Sequence, residues 1–379
     1  MNRPIYLDCA ATTPLDPRVE AELVRYLRED FGNAGSRTHD YGRTARRAVE
    51  QARDQVAAVV RAARGEVIFT SGATESNNLA LLGLQAFGDK SDRGHVVASS
   101  IEHHAVLEPV RMLADRGFDI TLIEPEPGGW VDPDKVAAAV RDDTLVVSIM
   151  QVNNETGVLQ PIGEIAERLA TSEVLLHVDA AQGFGKELDS LRSPRIDLIS
   201  ISAHKLGGPK GVGALICRRR NGERPPISAL LFGGGQELGM RPGTLPVPLI
   251  VALGRAAELA LQDHGARWRA ALELQTRLLE GLAPLNPRVH GERDRLLPYI
   301  LSLSFPGLTS EGVIEAWAEL VAVSDGAACT SQSYTCSHVL SAMGLPAECL
   351  DGTVRLSWCH LTERPDAAAL VAALQRPLE

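Results

Sequence analysis

Leu198-Ile-Ser-Ile-Ser202-Ala-His204-Lys205-Leu-Gly-Gly-Pro-Lys-Gly211 begins as an alternating apolar run and breaks into a Ser/His/Lys turn followed by a Gly/Pro-rich loop. That is a strand running into an irregular segment. Upstream, Leu175-Leu-His-Val-Asp179-Ala-Ala-Gln182 is a second strand, ending in a carboxylate. Short apolar runs recur on either side, at Glu66–Thr70, His95–Ser99, Ile120–Ile123, Leu145–Ile149 and Gly213–Cys217, with helical segments between them. Within residues 40–61, Ala45, Ala48, Val49, Ala52, Val56, Val59 and Val60 line one helical face. Strands alternating with helices predict an α/β fold whose mostly parallel, seven-stranded sheet is covered on both faces. Ligands bind such sheets at the carboxyl ends of the strands. Thr70-Ser-Gly, Glu102-His103, Asn153-Asn154, Asp179 and His204-Lys205 all fall at those ends.

The pattern changes near residue 248. Long helices occupy 248–282, and Pro284 to Pro298 is rich in turns. The remainder mixes strands (Ile300–Phe305, Val321–Ser324, Val354–Trp358) with helices (Glu311–Glu319, Arg364–Leu374), which reads as a smaller α+β domain.

Composition narrows the function. The net charge of −10 argues against a general nucleic-acid coat or an anionic membrane surface as partner. The run Arg218-Arg219-Arg220 reads as a solvated strand end. The N-terminus lacks the profile of a signal peptide, and no run of about 18 apolar residues predicts a membrane span. Six cysteines scattered through 379 residues, with no C-x-x-C pair, suggest reduced thiols in a cytoplasm rather than a disulfide framework.

Only five lysines occur against 33 arginines, and Lys205 sits at a strand end near Asp179. A lysine for a Schiff base and an aspartate for a pyridinium nitrogen are the two protein groups that pyridoxal phosphate (PLP) chemistry requires. Ser71-Gly-Ala73-Thr74-Glu-Ser76 follows a strand and opens a helix, where small residues and helix N–H groups suit an anion such as phosphate. Read alone, the same turn is a helix cap. An imidazole at His103 can stack on a flat ring; its neighbour His104 adds little case for a metal, because adjacent side chains rarely converge on one ion. Asn153-Asn154 offers uncharged amides for a carboxylate or a phenolic oxygen, or forms an Asx turn. Cys329, in the small-residue loop Asp325-Gly-Ala-Ala-Cys-Thr-Ser331, is either a presented nucleophile or an inert thiol. Arg355 lies inside an apolar strand and needs an anionic partner, such as a substrate carboxylate.

These motifs together resemble the cysteine desulfurases of the NifS/IscS type, which are fold-type I PLP enzymes of the class V aminotransferase family. The likeness runs nearly end to end, through Tyr6–Pro14, Phe69–Ser76, Glu102-His103, Val152–Glu155, His177–Gln182, Ser202–Lys205, Gly239–Thr244 and Ala328–Ser331. It implies that Lys205 carries PLP and shuttles protons, Asp179 keeps the pyridine nitrogen protonated, His103 stacks on the ring and Gln182 bonds the phenolic oxygen. Ala73, Thr74, Ser202 and His204 would hold the phosphate, and Thr244 would reach the phosphate of the second subunit in a homodimer. Asn154 and Arg355 would bind the carboxylate of L-cysteine, and Cys329 would take up its sulfur as a persulfide, releasing alanine. The division expected is a large domain over 15–258, with 1–14 and 259–379 forming the small domain that carries the cysteine loop.

Three features depart from the family pattern. Pro242 stands where the Arg-Ser-Gly-Thr motif has serine, Cys9 and Cys336 are extra thiols, and the chain ends soon after Leu374, whereas the housekeeping desulfurase has a longer tail that engages the iron–sulfur scaffold. Shorter relatives donate sulfur to tRNA thiolation or to DNA phosphorothioation, so the acceptor protein stays open. Selenocysteine lyase, another PLP lyase, and a PLP-bearing scaffold with weak turnover are the competing readings. A dinucleotide-binding domain is disfavoured, because neither Gly207–Gly213 nor Gly233–Gly235 has the strand–GxGxxG–helix context.

Overall fold

The computed structural model describes residues 3–325 and 337–375. Its first strand, β1 (Ile5–Tyr6), stands apart from the seven that follow: β2 (Val67–Thr70), β3 (His95–Ser99), β4 (Asp119–Ile123), β5 (Thr144–Ser148), β6 (Leu175–Asp179), β7 (Leu198–Ser202) and β8 (Gly213–Cys217). These seven form one sheet in the order β2-β8-β7-β6-β5-β3-β4. Strand β8 alone runs against the rest, pairing antiparallel with both β2 and β7. The ten residues between β7 and β8 contain only a single 3-10 turn, Ala203–Lys205, so no crossover helix returns the chain to a parallel start.

Alternating strand residues feed two cores. Phe69, Val147, Val178, Ile199, Ile201 and Ile216 pack on one face against helices Asp40–Val60 and Val247–Gln262. Ile68, Ala98, Val146, Leu198 and Leu215 pack on the other against helices Ala73–Leu82 and His104–Asp115. The apolar face predicted for 40–61 is buried within the first of these.

A four-stranded antiparallel sheet follows, built from β9 (Arg288–Val289), β10 (Ile300–Ser304), β12 (Ser324–Asp325) and β13 (Thr353–Ser357) in the order β12-β13-β10-β9. The single strand expected at 321–324 is divided. Its first part, β11 (Val321–Ala322), pairs in parallel with β1, while β12 pairs with β13. The chain changes partners at Val323, and no uniform apolar run could reveal that. The last helix begins at Ala367 rather than Arg364, because Pro365 precedes it and Asp366 Oδ1 accepts from the N–H groups of Ala368 and Ala369.

The arginine run is not a solvated strand end. Arg218 is buried and donates to the carbonyls of Val60, Leu191 and Ser193. Arg220 and Arg195 share the buried carboxylate of Asp197. A guanidinium with three carbonyl acceptors ties together loops whose carbonyls would otherwise lack donors.

Candidate active site

The β6–β7 register sets Asp179 beside Ser200, so the chain leaves both strands at the same edge of the sheet. Strand β2 reaches that edge through β8, where Thr70 and Ser202 both lie opposite Gly213. Only glycine fits at 213: a Cβ there would lie 2.4 Å from the Ile201 carbonyl oxygen and 2.6 Å from the Gly72 Cα.

Around this edge lies a cavity of about 500 Å³, within the range of small-molecule sites. Ten of the twelve residues singled out in the sequence line it: Ala73, Thr74, His103, Asn154, Asp179, Gln182, Ser202, His204, Lys205 and Arg355. Thr244 does not line it; it is exposed on the segment before helix Val247–Gln262. Cys329, and with it Cys336, lies outside the described residues.

Asp179 is buried, and both its oxygens are engaged: Oδ2 accepts from Asn77 Nδ2 at 2.7 Å and Oδ1 from the Ala181 N–H at 2.9 Å. Lys205 Nζ donates to the carbonyl oxygens of Ala10 and, at 2.8 Å, Ala11. Gln182 Nε2 donates to the same Ala10 carbonyl at 2.8 Å. The N-terminal segment therefore crosses the cavity and is held by two of its polar side chains. His103 caps helix His104–Asp115, its Nδ1 accepting the Ala105 N–H at 3.0 Å, and burial lowers its pKa. Burial also pushes His204 down to about 4, aided by Lys205 and Lys210. Both imidazoles are neutral at pH 7 and can act as ring surface or single donor.

Arg355 is 2% exposed; Nη1 donates to the Asn154 carbonyl at 2.9 Å, Nη2 to Asp8 Oδ1 at 2.7 Å, and the buried Nε has no partner. Asn153 uses its side chain in an Asx turn, accepting from the N–H groups of Glu155 and Thr156, so Asn154 is the amide that faces the cavity.

The cavity suits a phosphorylated, flat ring. Helix Ala73–Leu82 starts from Gly72 with no side-chain cap, leaving first-turn N–H groups turned to the cavity as an anion site. Ser202 and His204 add hydrogen-bonding groups beside it. At the other end, Gln182 Oε1 is buried without a partner. PLP fits this donor set. Among the described residues, no three His, Cys, Asp or Glu side chains group as a metal site, and the rings of His103 and His104 stand 6.5 Å apart at 70°.

Asn77, Asp8 and the Ala10 and Ala11 carbonyls escape the sequence reading. Asn77 shares a helical face with Thr74, at i and i+3, and that spacing is the one cue to it. Main-chain groups leave no trace in residue type.

Residues 5–370 match the Aminotransferase class-V family. The chain is 45% identical over 365 residues to the cysteine desulfurase IscS of Vibrio cholerae serotype O1, with 96% of this chain and 89% of that relative covered. Among solved structures, a NifS-like protein matches with a TM-score of 0.88 at 34% identity, covering 98% of this chain and 97% of its own. DndA from Streptomyces lividans matches with a TM-score of 0.82 at 48% identity, covering 95% of this chain and all of its own. A cavity furnished in this way, on a chain this similar along its whole length, belongs to the class-V aminotransferase family, among its cysteine desulfurases.

Proposed function

We propose that this protein is a PLP-dependent cysteine desulfurase. L-cysteine and the thiol of Cys329 give L-alanine and a persulfide on Cys329, which then passes sulfur to an acceptor protein. The observation that carries this reading is the convergence of Lys205, Asp179, the uncapped helix at Ala73 and the buried Arg355 on one cavity.

PLP, when bound, supplies an electron sink for negative charge developing at the substrate carbon. The protein's own groups do the rest. Asp179, oriented by Asn77, would supply the carboxylate for the pyridinium nitrogen. Arg355 takes the substrate carboxylate in a charge-assisted pair, exchanging its Asp8 contact for the ligand. Lys205 Nζ moves protons at the substrate carbon once it leaves the Ala10 and Ala11 carbonyls. His103, neutral and half-buried, would offer a ring face to the cofactor. Cys329 supplies the thiolate that attacks sulfur.

We read the active form as a homodimer. Thr244 is exposed and outside its own cavity, and the segment before it exposes Leu230, Leu231, Phe232 and Leu238, with Phe232 92% exposed. A second subunit would cover these residues and bring Thr244 to the neighbouring phosphate site. The large unit is 15–258, with 1–14 and 259–379 forming the small one; the β1–β11 pairing and the parallel bridge between Asp8 and Ser357 support counting the N-terminus with the latter. Free thiols at Cys9, Cys217, Cys349 and Cys359 support a reducing, cytoplasmic setting. No helix among the described residues is long and apolar enough to cross a membrane.

The test is alanine and sulfide release from L-cysteine in the presence of a thiol reductant. Equal rates of both products, lost in Lys205→Ala and Cys329→Ala, support the reading. Cysteine consumption without alanine would overturn it.

A further inference from the structure

Two thiols and a buried lysine that do not line the cavity group beside the N-terminal segment. Cys9 is 1% exposed and Cys359 is partly exposed. The Thr362 hydroxyl stands between them, 3.8 Å from each sulfur. The backbone brings them together: the Cys9 N–H donates to the Ser357 carbonyl at 3.1 Å, two residues before Cys359 at the end of β13.

Lys186 is the third member. It is buried, its Nζ lies 5.7 Å from the centroid of the Tyr299 ring, and no carboxylate among the described residues forms an ion pair with it. Burial pushes its pKa down to about 8, and the neighbouring Cys9 and Cys359 oppose that shift. An ammonium out of water needs an anion, and a thiolate is the one this cluster can form. The neighbouring Cys9 thiol lowers the Cys359 pKa, with further help from the Leu361 N–H, Thr362 and Lys186, while the pKa of the more deeply buried Cys9 is raised. A partly exposed thiolate and a buried thiol on either side of one hydroxyl are the arrangement of an attacking and a resolving cysteine.

We propose that Cys9 and Cys359 form a peroxide-reactive dithiol, separate from the desulfurase cysteine, that closes to a disulfide linking the N-terminal segment to the end of β13. Cys359 thiolate attacks one oxygen of hydrogen peroxide: an S–O bond forms as the O–O bond breaks, and hydroxide leaves, taking up the proton that Cys359 released on ionising to become water. Cys9 sulfur then attacks the sulfenic acid, the S–S bond forms as the S–O bond breaks, and the Cys9 proton leaves with the oxygen as a second water. Two thiols lose two electrons and the peroxide gains them. The bond would draw two sulfurs that share the Thr362 hydroxyl to a separation of about 2.05 Å. Cys9 precedes Ala10 and Ala11, whose carbonyls hold Lys205, so the disulfide strains the segment that crosses the active-site cavity.

The experiment uses the PLP-loaded full chain with Cys329→Ser and Cys336→Ser, so that the sulfur-carrying loop cannot react. After a few equivalents of hydrogen peroxide and alkylation under unfolding conditions, peptide mass spectrometry reads each thiol. A Cys9–Cys359 cross-linked peptide should rise at least about tenfold over the untreated protein and vanish with dithiothreitol. Cys9→Ser should instead trap Cys359 as sulfenic or sulfinic acid, and Lys186→Met should slow alkylation of Cys359 at pH 7. Recovery of both thiols in alkylated form after peroxide, or of Cys359 sulfinic acid beside an intact Cys9 thiol, overturns the proposal.

Discussion

Lys205 rests against main-chain carbonyls, whereas Asp179 and Arg355 are each held by one side chain and one main-chain group, and mutations should separate the three accordingly. With the roles proposed for it, Lys205→Ala would remove both the covalent anchor and the proton carrier, and alanine formation should fall by about 10²–10⁴-fold or more in steady-state assays. Asp179→Asn keeps the shape but loses the charge facing the pyridinium; kcat should fall with the fold retained, which circular dichroism checks. Arg355→Lys loses the planar fork and leaves the Asn154 carbonyl or Asp8 without its partner. Charge-assisted bonds of this kind contribute about 1.5–3 kcal/mol, so kcat/KM for L-cysteine should drop roughly 10- to 150-fold, mostly through KM. At this scale the site was largely legible: a scarce lysine and a strand-ending aspartate carry their chemistry in their residue types. Asn77 and Asp8 were not, since each acts through a partner that the fold brings from far along the chain.

Two buried glutamates make individual elements pH-sensitive. Glu102, at the turn after β3, is fully buried and accepts from Ser99 Oγ and the Met150 N–H; burial pushes its pKa up to about 8. Glu155, in the loop after β5, accepts from Ser337 Oγ and is pushed up to about 7 by burial. Both folded values lie above the ordinary glutamate value, so the native state holds protons that the unfolded chain has released. Their contribution to stability is complete below about pH 4.5 and is lost as pH rises through about 7 and about 8. Unfolding free energy should therefore decline across pH 5–8, by up to about 1.4 kcal/mol per pH unit for each group, and Glu102→Gln should flatten that slope in urea titrations. Gly213→Ala tests the sheet edge itself. The added Cβ meets backbone at 2.4 and 2.6 Å, so stability should fall by about 1–3 kcal/mol and PLP should bind more weakly, read by thermal melts with and without cofactor. The seven strands were readable from their apolar runs, but their order and the reversal of β8 were not. Order depends on which neighbours bury each face. The reversal follows from a ten-residue link without a helix, between β7 and β8.

For the whole molecule, the N-terminal dozen residues join the two halves of the chain. β1 pairs with β11, Asp8 meets Arg355, and Ala10 and Ala11 meet Lys205. Periodicity cannot announce such a role, because two residues of strand carry no pattern. A dimer should sediment at about twice 40.7 kDa, and Phe232→Asp should shift it toward the monomer and lower activity together. The measurement that bears most directly on the central claim is parallel alanine and sulfide release from L-cysteine under thiol reductant, for wild type, Lys205→Ala and Cys329→Ala. Wild type should release both products at equal rates, and neither variant should release either product. Wild-type turnover by Cys329→Ala would contradict the central claim and remove Cys329 as the sulfur-accepting group.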